Sequence, residues 1–299
     1  MTFHALESID SILAAAARHG VSLSPDGATL DTMGLDFVVV HARDPAGTRW
    51  IVRAPRRAAV LAGTATEARV LRAVRGALPV AVPDWQITDE VIAYPRLGGT
   101  PAVTLDTGAP VWNVIDPTAL APAFLASMGD LLAALTRVPT EGLPARTIAD
   151  ERASLSRTVE VARELLSPPE SILTRWSRWL ADDAMWPEHV ALTHGDLHPG
   201  HLLLAPDGTV TGVLDWTEAR VGDPSIDLAM VHQCFGRPAL ETVAATFARN
   251  GGPTWPHLIE HAIERAAIFP ALGAEWAHRT SNAAVLEYSR SQLDALLAR

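Results

Sequence analysis

Two short stretches of the sequence concentrate side chains that can do chemistry. The first is Thr193-His194-Gly195-Asp196-Leu197-His198-Pro199-Gly200-His201, and the second is Gly212-Val213-Leu214-Asp215-Trp216. Together they supply a carboxylate on a tight loop, an imidazole five residues further on, and a second carboxylate after an apolar run. Phosphoryl transfer needs one acid that orients the incoming hydroxyl and accepts its proton, and further groups that hold a divalent ion against the phosphates. We therefore predict phosphoryl transfer as the chemistry of this region.

The histidines of the first stretch admit a second interpretation, which is a zinc site. His194, His198 and His201 are spaced four and three residues apart, as ligands on a helix can be. The glycines and the proline between them make a helix implausible, however. We expect His194 to brace the loop. The plain alternative for Asp196 is a loop carboxylate that only accepts backbone hydrogen bonds.

The composition limits the class of partner. The 299 residues include 34 acidic and 24 basic side chains, giving a formal charge of -10, and every basic residue is Arg. Nucleic-acid binders use Lys and Arg on phosphates, so the acidic surplus argues against a nucleic-acid partner. Codon usage that favours Arg is the simplest explanation for the missing lysine, although enzymes that handle phosphate usually place a lysine there.

Other features bear on the location of the protein. Glu7 and Asp10 near the N-terminus, without a basic head and an apolar stretch, do not fit a signal peptide. The most apolar segment, 119–138, is interrupted by polar residues, and its leucines recur at the spacing of a buried helix. Cys234 is the only cysteine, which excludes an internal disulfide and suits a reducing compartment. We expect a cytoplasmic protein without membrane contact, and we favour a monomer.

The first hundred residues predict a small, mostly antiparallel sheet with one helix. The turn Asp44-Pro45-Ala46-Gly47 separates two apolar, β-prone runs, which is typical of a hairpin. Thr64 lies three residues before Glu67, as in a capping box at the start of a helix. The predicted elements are strands 35–42 and 48–54, a helix over 65–78, and strands 85–88 and 91–94.

After Gly98-Gly99 the pattern becomes mainly helical, so this pair is a candidate lobe boundary. The predicted helices span 118–137, 148–166, 170–182, 238–250, 256–273 and 278–298. Two short strands, 190–193 and 210–214, interrupt them, and the polar residues of the two chemical stretches lie at their ends. Catalytic groups are often found at such junctions, because a rigid scaffold holds them on accessible loops.

The two chemical stretches resemble the catalytic loop and the metal-binding aspartate of protein-kinase-like enzymes, in the branch that phosphorylates antibiotics and other small molecules. Further segments lie where that superfamily handles nucleotide phosphates, namely Gly34-Leu35-Asp36-Phe37, Trp50-Ile51-Val52-Arg53 and Glu67. With Pro55-Arg56-Arg57, Val82-Pro83-Asp84-Trp85 and the run 214–220, the chain is similar to macrolide 2'-phosphotransferases in particular. This similarity extends over most of the chain up to about residue 230.

The resemblance implies an α+β, two-lobed protein-kinase-like fold. An N-terminal nucleotide-binding lobe, 1–97, would contain the small antiparallel sheet and its helix. A mostly helical C-terminal lobe, 98–299, would contain the catalytic loop and the acceptor site. The implied reaction transfers the γ-phosphoryl group of GTP, or ATP, to the 2'-hydroxyl of a macrolide amino sugar with Mg2+, conferring antibiotic resistance. The alternative acceptor is another small-molecule alcohol, such as an aminoglycoside. The implied roles are a base for Asp196, metal ligands for His201 and Asp215, and nucleotide contacts for Gly34, Arg53, Glu67, Tyr94 and Leu97.

Two positions depart from the wider kinase pattern. Arg53 replaces the usual lysine, as in the macrolide enzymes, and a guanidinium is always charged and can fork onto two phosphate oxygens. His201 replaces an asparagine, and imidazole suits transition metals better than magnesium. A catalytically dead nucleotide-binding module is the interpretation that both replacements would favour. If the enzyme is active, we expect Arg53 to matter far more than Arg56.

Three acidic residues keep two interpretations each. Glu67 pairs either with Arg53, as the resemblance implies, or with the cap of its own helix. Asp223, just before Pro224, fits a helix cap, and Asp227 can also cap the helix that follows. Both are otherwise expected to bind substrate, because the amino sugar of a macrolide is a cationic tertiary amine.

Overall fold

The computed structural model describes residues 5–32, 34, 36–87, 89–106 and 109–298. The helices are α1 (Ile9–Arg18), α2 (Ala58–Val74), α3 (Pro122–Leu135), α4 (Ile148–Leu166), α5 (Glu170–Ala181), α6 (Ser225–Arg249), α7 (Leu258–Ala267), α8 (Phe269–Thr280) and α9 (Ala283–Leu297). The strands are β1 (Ser24–Asp31), β2 (Phe37–Arg43), β3 (Arg49–Pro55), β4 (Ile92–Pro95), β5 (Thr100–Pro101), β6 (Val103–Asp106), β7 (Ala109–Trp112), β8 (Ala191–Thr193), β9 (Leu202–Leu204), β10 (Val210–Val213) and β11 (Arg220–Gly222).

The chain divides into two compact units that interleave in the sequence. The sheet unit comprises residues 1–114 and 200–219, and the helical unit comprises residues 115–199 and 220–299. Residues 200–219 belong to the sheet unit because β9 pairs with both β5 and β10 in a three-stranded antiparallel sheet. This division by packing differs in its boundaries from the two consecutive lobes 1–97 and 98–299, whose separate functions stay a prediction.

The predicted hairpin is present. β2 and β3 pair from Phe37 opposite Pro55 to Arg43 opposite Arg49. Its turn closes through hydrogen bonds from the Gly47 amide to the Asp44 carbonyl at 2.9 Å and from the Asp44 amide to the Thr48 carbonyl at 3.1 Å. Gly47 has a φ of 85°, a conformation that glycine adopts without strain.

Two further strands complete the antiparallel sheet in the order β1-β2-β3-β4. The predicted strand 91–94 corresponds to β4, whereas β1 was not predicted, because its polar, mostly exposed residues do not resemble a strand. The strand predicted over 85–88 is wrong: only an isolated bridge joins Ile87 to Ala93, and Thr88 lies outside the described residues. Helix α1 packs against this sheet, and its Ile12 and Ala16 share a hydrophobic cluster with Val40 of β2 and Val52 of β3.

Helix α2 begins seven residues earlier than predicted, so the capping box is wrong. Arg57 is its N-cap and makes no side-chain cap hydrogen bond. Thr64 lies buried inside the helix and donates its hydroxyl to the Leu61 carbonyl at 2.7 Å. Glu67 therefore has no capping role and is available to other partners.

In the helical unit the predicted helices 148–166 and 170–182 match α4 and α5 closely. Helix α6 starts at Ser225, well before the predicted 238, and kinks at Gly236, where φ is 78°, just before Pro238. The helix predicted over 256–273 is two helices, α7 and α8, that meet at Ile268 before Pro270, because proline is accepted in a first turn but not in a helix interior. Among the described residues no helix is both long and apolar enough to cross a membrane.

Candidate active site

The loop that carries Asp196 leaves strand β8 in the helical unit. Thr193, the last residue of β8, pairs with Arg220 of β11 and donates its hydroxyl to the Arg220 carbonyl at 2.9 Å. Gly195 then takes a φ of 84°, a left-handed conformation that turns the chain sharply. Asp196 follows with its side chain 42% exposed, so its carboxylate is accessible to an acceptor molecule.

A buried carboxylate on the first turn of α6 holds this loop. The two oxygens of Asp227 accept the backbone N–H groups of His194 at 2.8 Å and of Gly195 at 2.9 Å. Burial raises the pKa of Asp227 to about 6, although these two hydrogen bonds and the nearby Arg220 and Arg265 act in the opposite direction. Asp227 therefore fixes the backbone just before Asp196.

His194 braces the loop from inside, as the sequence led us to expect. Its ring is fully buried, and Nδ1 accepts the backbone N–H of Asp196 at 3.3 Å. The side chain of His198 is partly exposed to solvent, and its Nε2 is 4.0 Å from Oδ2 of Asp196. The use of His194 Nδ1 within the loop agrees better with a structural role than with a zinc ligand.

In the sheet unit, His201 and Asp215 lie side by side. The backbone N–H of Leu214 donates to the His201 carbonyl at 2.8 Å, which places the next residue, Asp215, beside the imidazole. Nε2 of His201 lies 3.9 Å from Oδ2 of Asp215. Asp215 has a φ of 56°, an unusual conformation for a residue other than glycine. Burial opposes its ionisation, but His201, Arg53 and hydrogen bonds from Thr217 outweigh that effect and lower its pKa.

This pair can bind one divalent cation after a small adjustment of its side chains. Mg2+ holds its ligands at about 2.1 Å in an octahedron, so adjacent ligands lie about 3.0 Å apart, and Nε2 of His201 and Oδ2 of Asp215 lie 3.9 Å apart. An ionised Asp215 is the oxygen ligand that Mg2+ prefers, whereas the imidazole of His201 also suits transition metals.

Arg53 and Glu67 contact each other in the sheet unit, which also contains His201 and Asp215. Nη1 of Arg53 lies 3.6 Å from Oε1 of Glu67, and its guanidinium carbon lies 4.0 Å from the centre of the Phe37 ring. Glu67 also accepts the backbone N–H of Trp216 at 3.3 Å and the hydroxyl of Thr217 at 3.2 Å. Burial raises the pKa of Glu67, and Arg53 offsets part of that rise. Glu67 thus joins Arg53 to the segment that follows Asp215.

Arg56 has a structural task that the sequence did not indicate. Its side chain donates to the carbonyls of Gly34 at 2.9 Å and Thr32 at 2.6 Å, so it anchors the segment expected to cover the nucleotide phosphates. A side chain at Gly34 would meet the Phe37 carbonyl at 2.8 Å, which explains the need for glycine. Leu35, in the same segment, lies outside the described residues.

The remaining expected nucleotide contacts lie on and after β4. Tyr94 is buried against Phe37 and Ile92, and burial raises the pKa of its hydroxyl to about 12. Leu97 is half-buried in the connection between β4 and β5. Both belong to the sheet unit, as Arg53 and Glu67 do.

Asp223, like Asp227, is buried in the helical unit rather than exposed to an acceptor. One oxygen of Asp223 accepts the Ser225 N–H at 2.9 Å at the start of α6, which supports the cap interpretation. The other oxygen lies 2.7 Å from Nε2 of His261 and 2.8 Å from Nη1 of Arg265. The burial of the two aspartates does not support the expected contact with substrate.

Sequence reasoning assigned no role to several polar residues that bond to the candidate site residues or to their partners, namely Thr217 in the sheet unit and Glu151, His261 and Arg265 in the helical unit. His261 and Arg265 are four residues apart on the otherwise apolar face of α7, and Glu151 lies on the buried face of α4. The sequence did contain a signal for the residues on α4 and α7, which is a charged residue at a helical position that otherwise carries apolar side chains. Such a residue is buried and needs a partner of opposite charge.

Comparisons with known proteins identify the relatives of this chain. The model of the phosphotransferase enzyme family matches residues 28–261. A structure of a macrolide 2'-phosphotransferase type I is 37% identical, covers 98% of this chain and 99% of its own, and superposes with a TM-score of 0.86. The apoenzyme of macrolide 2'-phosphotransferase MphH from Brachybacterium faecium is 36% identical over 96% and 98% of the two chains, with a TM-score of 0.85. The uncharacterized protein YcbJ of Bacillus subtilis (strain 168) is 34% identical over 96% of this chain and 95% of its own.

These matches confirm the expected kinase-like fold class and the resemblance to macrolide 2'-phosphotransferases. They also confirm the expectation of a nucleotide-dependent phosphotransferase. With most of its length matched by the family model, the chain belongs to the phosphotransferase enzyme family.

Proposed function

We propose that this enzyme is a macrolide 2'-phosphotransferase, which transfers the γ-phosphoryl group of GTP, or of ATP, to the 2'-hydroxyl of the macrolide amino sugar. The observation that carries the proposal is the accessible Asp196 carboxylate on a loop fixed by Asp227. The similarity of the whole chain to two macrolide 2'-phosphotransferases supports the choice of acceptor. Such a modification confers resistance, and we place the activity in the cytoplasm, where the single free Cys234 stays reduced.

Asp196 acts on the acceptor hydroxyl. Its carboxylate accepts a hydrogen bond from the hydroxyl, aims the oxygen at the γ-phosphorus and takes the proton as the new P–O bond forms and the bond from the γ-phosphorus to the bridging oxygen breaks, which releases GDP or ADP. Because the transition state of phosphoryl transfer is loose, orientation contributes more to the rate than early removal of the proton does. The hydrogen bonds from His194 and Gly195 to Asp227 keep the backbone at Asp196 in one position.

The sheet unit supplies the groups for the nucleotide. Arg53 donates to phosphate oxygens, and Glu67 and the Phe37 ring hold its guanidinium in place. Gly34, Tyr94 and Leu97 contribute further nucleotide contacts. His201 and Asp215 would hold Mg2+, which neutralises charge on the phosphates when bound.

A cavity in the helical unit is a candidate site for the lactone ring of a macrolide. It measures about 390 Å3, and its walls are mixed: apolar side chains such as Ile263, Pro270 and Leu296 alternate with polar ones such as Arg175 and His232. One of its lining residues, Gln233, lies on α6, the helix that also carries Asp227.

An aminoglycoside is the second candidate acceptor. The formal charge of -10 favours a polycationic substrate in general. The mixed lining of the cavity is compatible with either acceptor, and the similarity to two macrolide 2'-phosphotransferases favours the macrolide.

Incubation of the enzyme with Mg2+, GTP or ATP, and a panel of macrolides and aminoglycosides tests the proposal. Mass spectrometry should show the gain of one phosphoryl group on macrolides, and Asp196→Ala should abolish the gain while nucleotide binding persists. A gain on aminoglycosides alone would establish the second candidate. Unchanged turnover in Asp196→Ala would refute the assignment of the base, and nucleotide binding without consumption of any acceptor would favour a catalytically dead module.

A further inference from the structure

A guanidinium buried in the helical unit lies at the centre of a charge network. Arg265 of α7 is 3% exposed. Its Nη1 donates to Oδ2 of Asp223 at 2.8 Å, and its Nη2 contacts Oε1 of Glu151. Both carboxylates are buried as well, so the three charges depend on one another for stabilisation.

His261, one turn before Arg265 on α7, holds the same oxygen of Asp223 at 2.7 Å through Nε2. The indole N–H of Trp179 donates to Nδ1 of His261 at 3.0 Å. Because an indole nitrogen can only donate, Nδ1 must be the acceptor, and the ring hydrogen is therefore on Nε2, facing Asp223. The rings of Trp186 and Trp255 pack edge-on against the imidazole and restrict its rotation.

One route leads from Arg265 to the catalytic loop through helix α6. Asp223, held by Arg265 and His261, accepts the N–H of Ser225 at 2.9 Å at the first residue of α6. Asp227 is two residues further on the same turn, and it accepts the N–H groups of His194 and Gly195. A shift of Asp223 therefore moves the helix start on which the loop is fixed.

A second route leads through strand β11. The Glu151 oxygen that contacts Arg265 also lies 3.6 Å from Nη2 of Arg220. Arg220 pairs in the β8–β11 ladder with Thr193, the residue before His194, and its carbonyl accepts the Thr193 hydroxyl at 2.9 Å. One guanidinium thus reaches both the strand that enters the catalytic loop and the helix that fixes it.

We propose that Arg265, with His261, is a positioning residue for the Asp196 loop and acts through Asp223 and Glu151 without contacting substrate or nucleotide. The proposal rests on the proposed function in that Asp196 is taken as the base. A flat, forked guanidinium can bridge two carboxylates in fixed directions, whereas the point charge of a lysine ammonium cannot.

The test uses Arg265→Lys and His261→Gln, which retain charge or polarity and so limit unfolding. The matched control is Arg237→Lys, because Nη2 of Arg237 lies 2.8 and 2.9 Å from the two carboxylate oxygens of Glu260 in the same unit. Arg237 is not among the residues that line the cavity. Thermal unfolding of each variant verifies that the assay temperature lies within the folded range.

Arg265→Lys should lower kcat by on the order of tenfold or more, since small displacements of a catalytic group are costly, with nucleotide KM within about twofold of the wild type. Arg237→Lys should leave kcat within about twofold of the wild type. In a double mutant with Asp227→Asn, the two losses should be smaller than additive, because both variants release the same loop. An unchanged kcat in Arg265→Lys, or fully additive losses, would overturn the proposal.

Amide hydrogen exchange separates this inference from the proposed function. The amides of His194 and Gly195 should exchange faster in Arg265→Lys and His261→Gln than in the wild type, but not in Arg237→Lys. This readout needs no acceptor, so it holds even if macrolides prove not to be substrates. Exchange at these two amides that is equal in all four proteins would show that Arg265 and His261 do not position the loop.

Discussion

An oxygen of Asp227 accepts the backbone N–H of Gly195 at 2.9 Å, although the two residues are 32 positions apart in the chain. Its second oxygen takes the N–H of His194, so a single buried carboxylate satisfies two successive amides just before Asp196. Backbone amides in a turn of this kind have no partner within the loop itself, and leaving one of them buried and unpaired is costly.

Asp227→Asn should therefore impair catalysis. The amide side chain has one acceptor oxygen and a donor NH2 group, so either His194 or Gly195 loses its partner. We expect kcat to fall by roughly 10- to 100-fold, as for other displacements of a catalytic group. Steady-state kinetics would measure this, with nucleotide affinity as the internal control. A variant with wild-type kcat would show that the loop keeps its geometry without the carboxylate.

The pH dependence of activity should also reflect Asp227. With its pKa raised to about 6 by burial, Asp227 becomes protonated below that pH, and one of its oxygens then no longer accepts an amide. We expect kcat to decline as pH falls through about 6, and this limb should be absent in Asp227→Asn. If the same acidic limb persists in the variant, another group causes it.

Stability should change with pH in the opposite direction. Because the folded-state pKa of Asp227 is above its ordinary value, the folded protein binds the proton more tightly than the unfolded chain does. This contribution is present below the ordinary pKa and is lost as pH rises to about 6. Chemical denaturation across this range should show a decline in the free energy of unfolding that is weaker in Asp227→Asn.

Arg53 should be sensitive even to replacement by lysine. Its guanidinium lies over the Phe37 ring and against Glu67, and a lysine ammonium would change both contacts. We expect Arg53→Ala to raise the nucleotide KM or lower kcat strongly, and Arg53→Lys to have an intermediate effect. Arg49→Ala, an exposed change on the same strand, is the control. Equal effects at both positions would argue against a phosphate contact for Arg53.

The expectation for Arg56 changes with the structure. Its hydrogen bonds to the carbonyls of Gly34 and Thr32 make it an anchor of the segment around Gly34. Replacement of Arg56 is therefore unsuitable as a neutral control for Arg53.

A larger side chain at an exposed position of α9 should fill the cavity in the helical unit. Ala295 on α9 lines the cavity and is exposed, whereas Ala284 is exposed on the same helix and is not among the lining residues. Ala295→Trp should raise the macrolide KM by about tenfold or more through steric exclusion of the lactone ring, with the nucleotide KM unchanged. Ala284→Trp should affect neither constant. If both variants behave like the wild type, the acceptor does not use this cavity.

Two helix glycines should respond to alanine in opposite directions. At Gly129 of α3 a Cβ would lie 2.5 Å from Cβ of Thr246 and 2.9 Å from the Val243 carbonyl, so Gly129→Ala should destabilise by about 1–3 kcal/mol. At Gly63 of α2 nothing lies within 4 Å of that position. Gly63→Ala should stabilise by about 0.5–1 kcal/mol through the better helix propensity of alanine. Urea denaturation of the two variants measures both, and a neutral Gly129→Ala would mean that α3 and α6 separate easily.

The features that the sequence predicted correctly depend on residues that are close together in the chain. The hairpin follows from the turn at Asp44 to Gly47, and the two chemical stretches are recognisable because their residues lie close together in the chain. The start of α2 was misjudged because Thr64 looks like a cap, yet its hydroxyl bonds within the helix. Local signals cannot distinguish these two uses of a threonine.

The features that could not be predicted depend on contacts between residues that are far apart in the chain. Arg265 meets Asp223 and Glu151 across 42 and 114 residues, and nothing near any of the three identifies the other two. The burial of Asp223 and Asp227 was likewise invisible, because a short acidic motif before a helix is equally consistent with a cap and with an exposed binding group.

The return of residues 200–219 to the sheet unit has a consequence for synthesis of the protein. As the chain emerges from the ribosome, β1 to β4 can pair at once, but β5 must wait until β9 has been made, about 100 residues later. A fragment that ends at Val114 lacks β9 and β10, so a single cut in the gene cannot yield this unit whole. The groups at Arg53 and Asp215 thus come together only after the whole first segment of the helical unit, residues 115–199, has been translated.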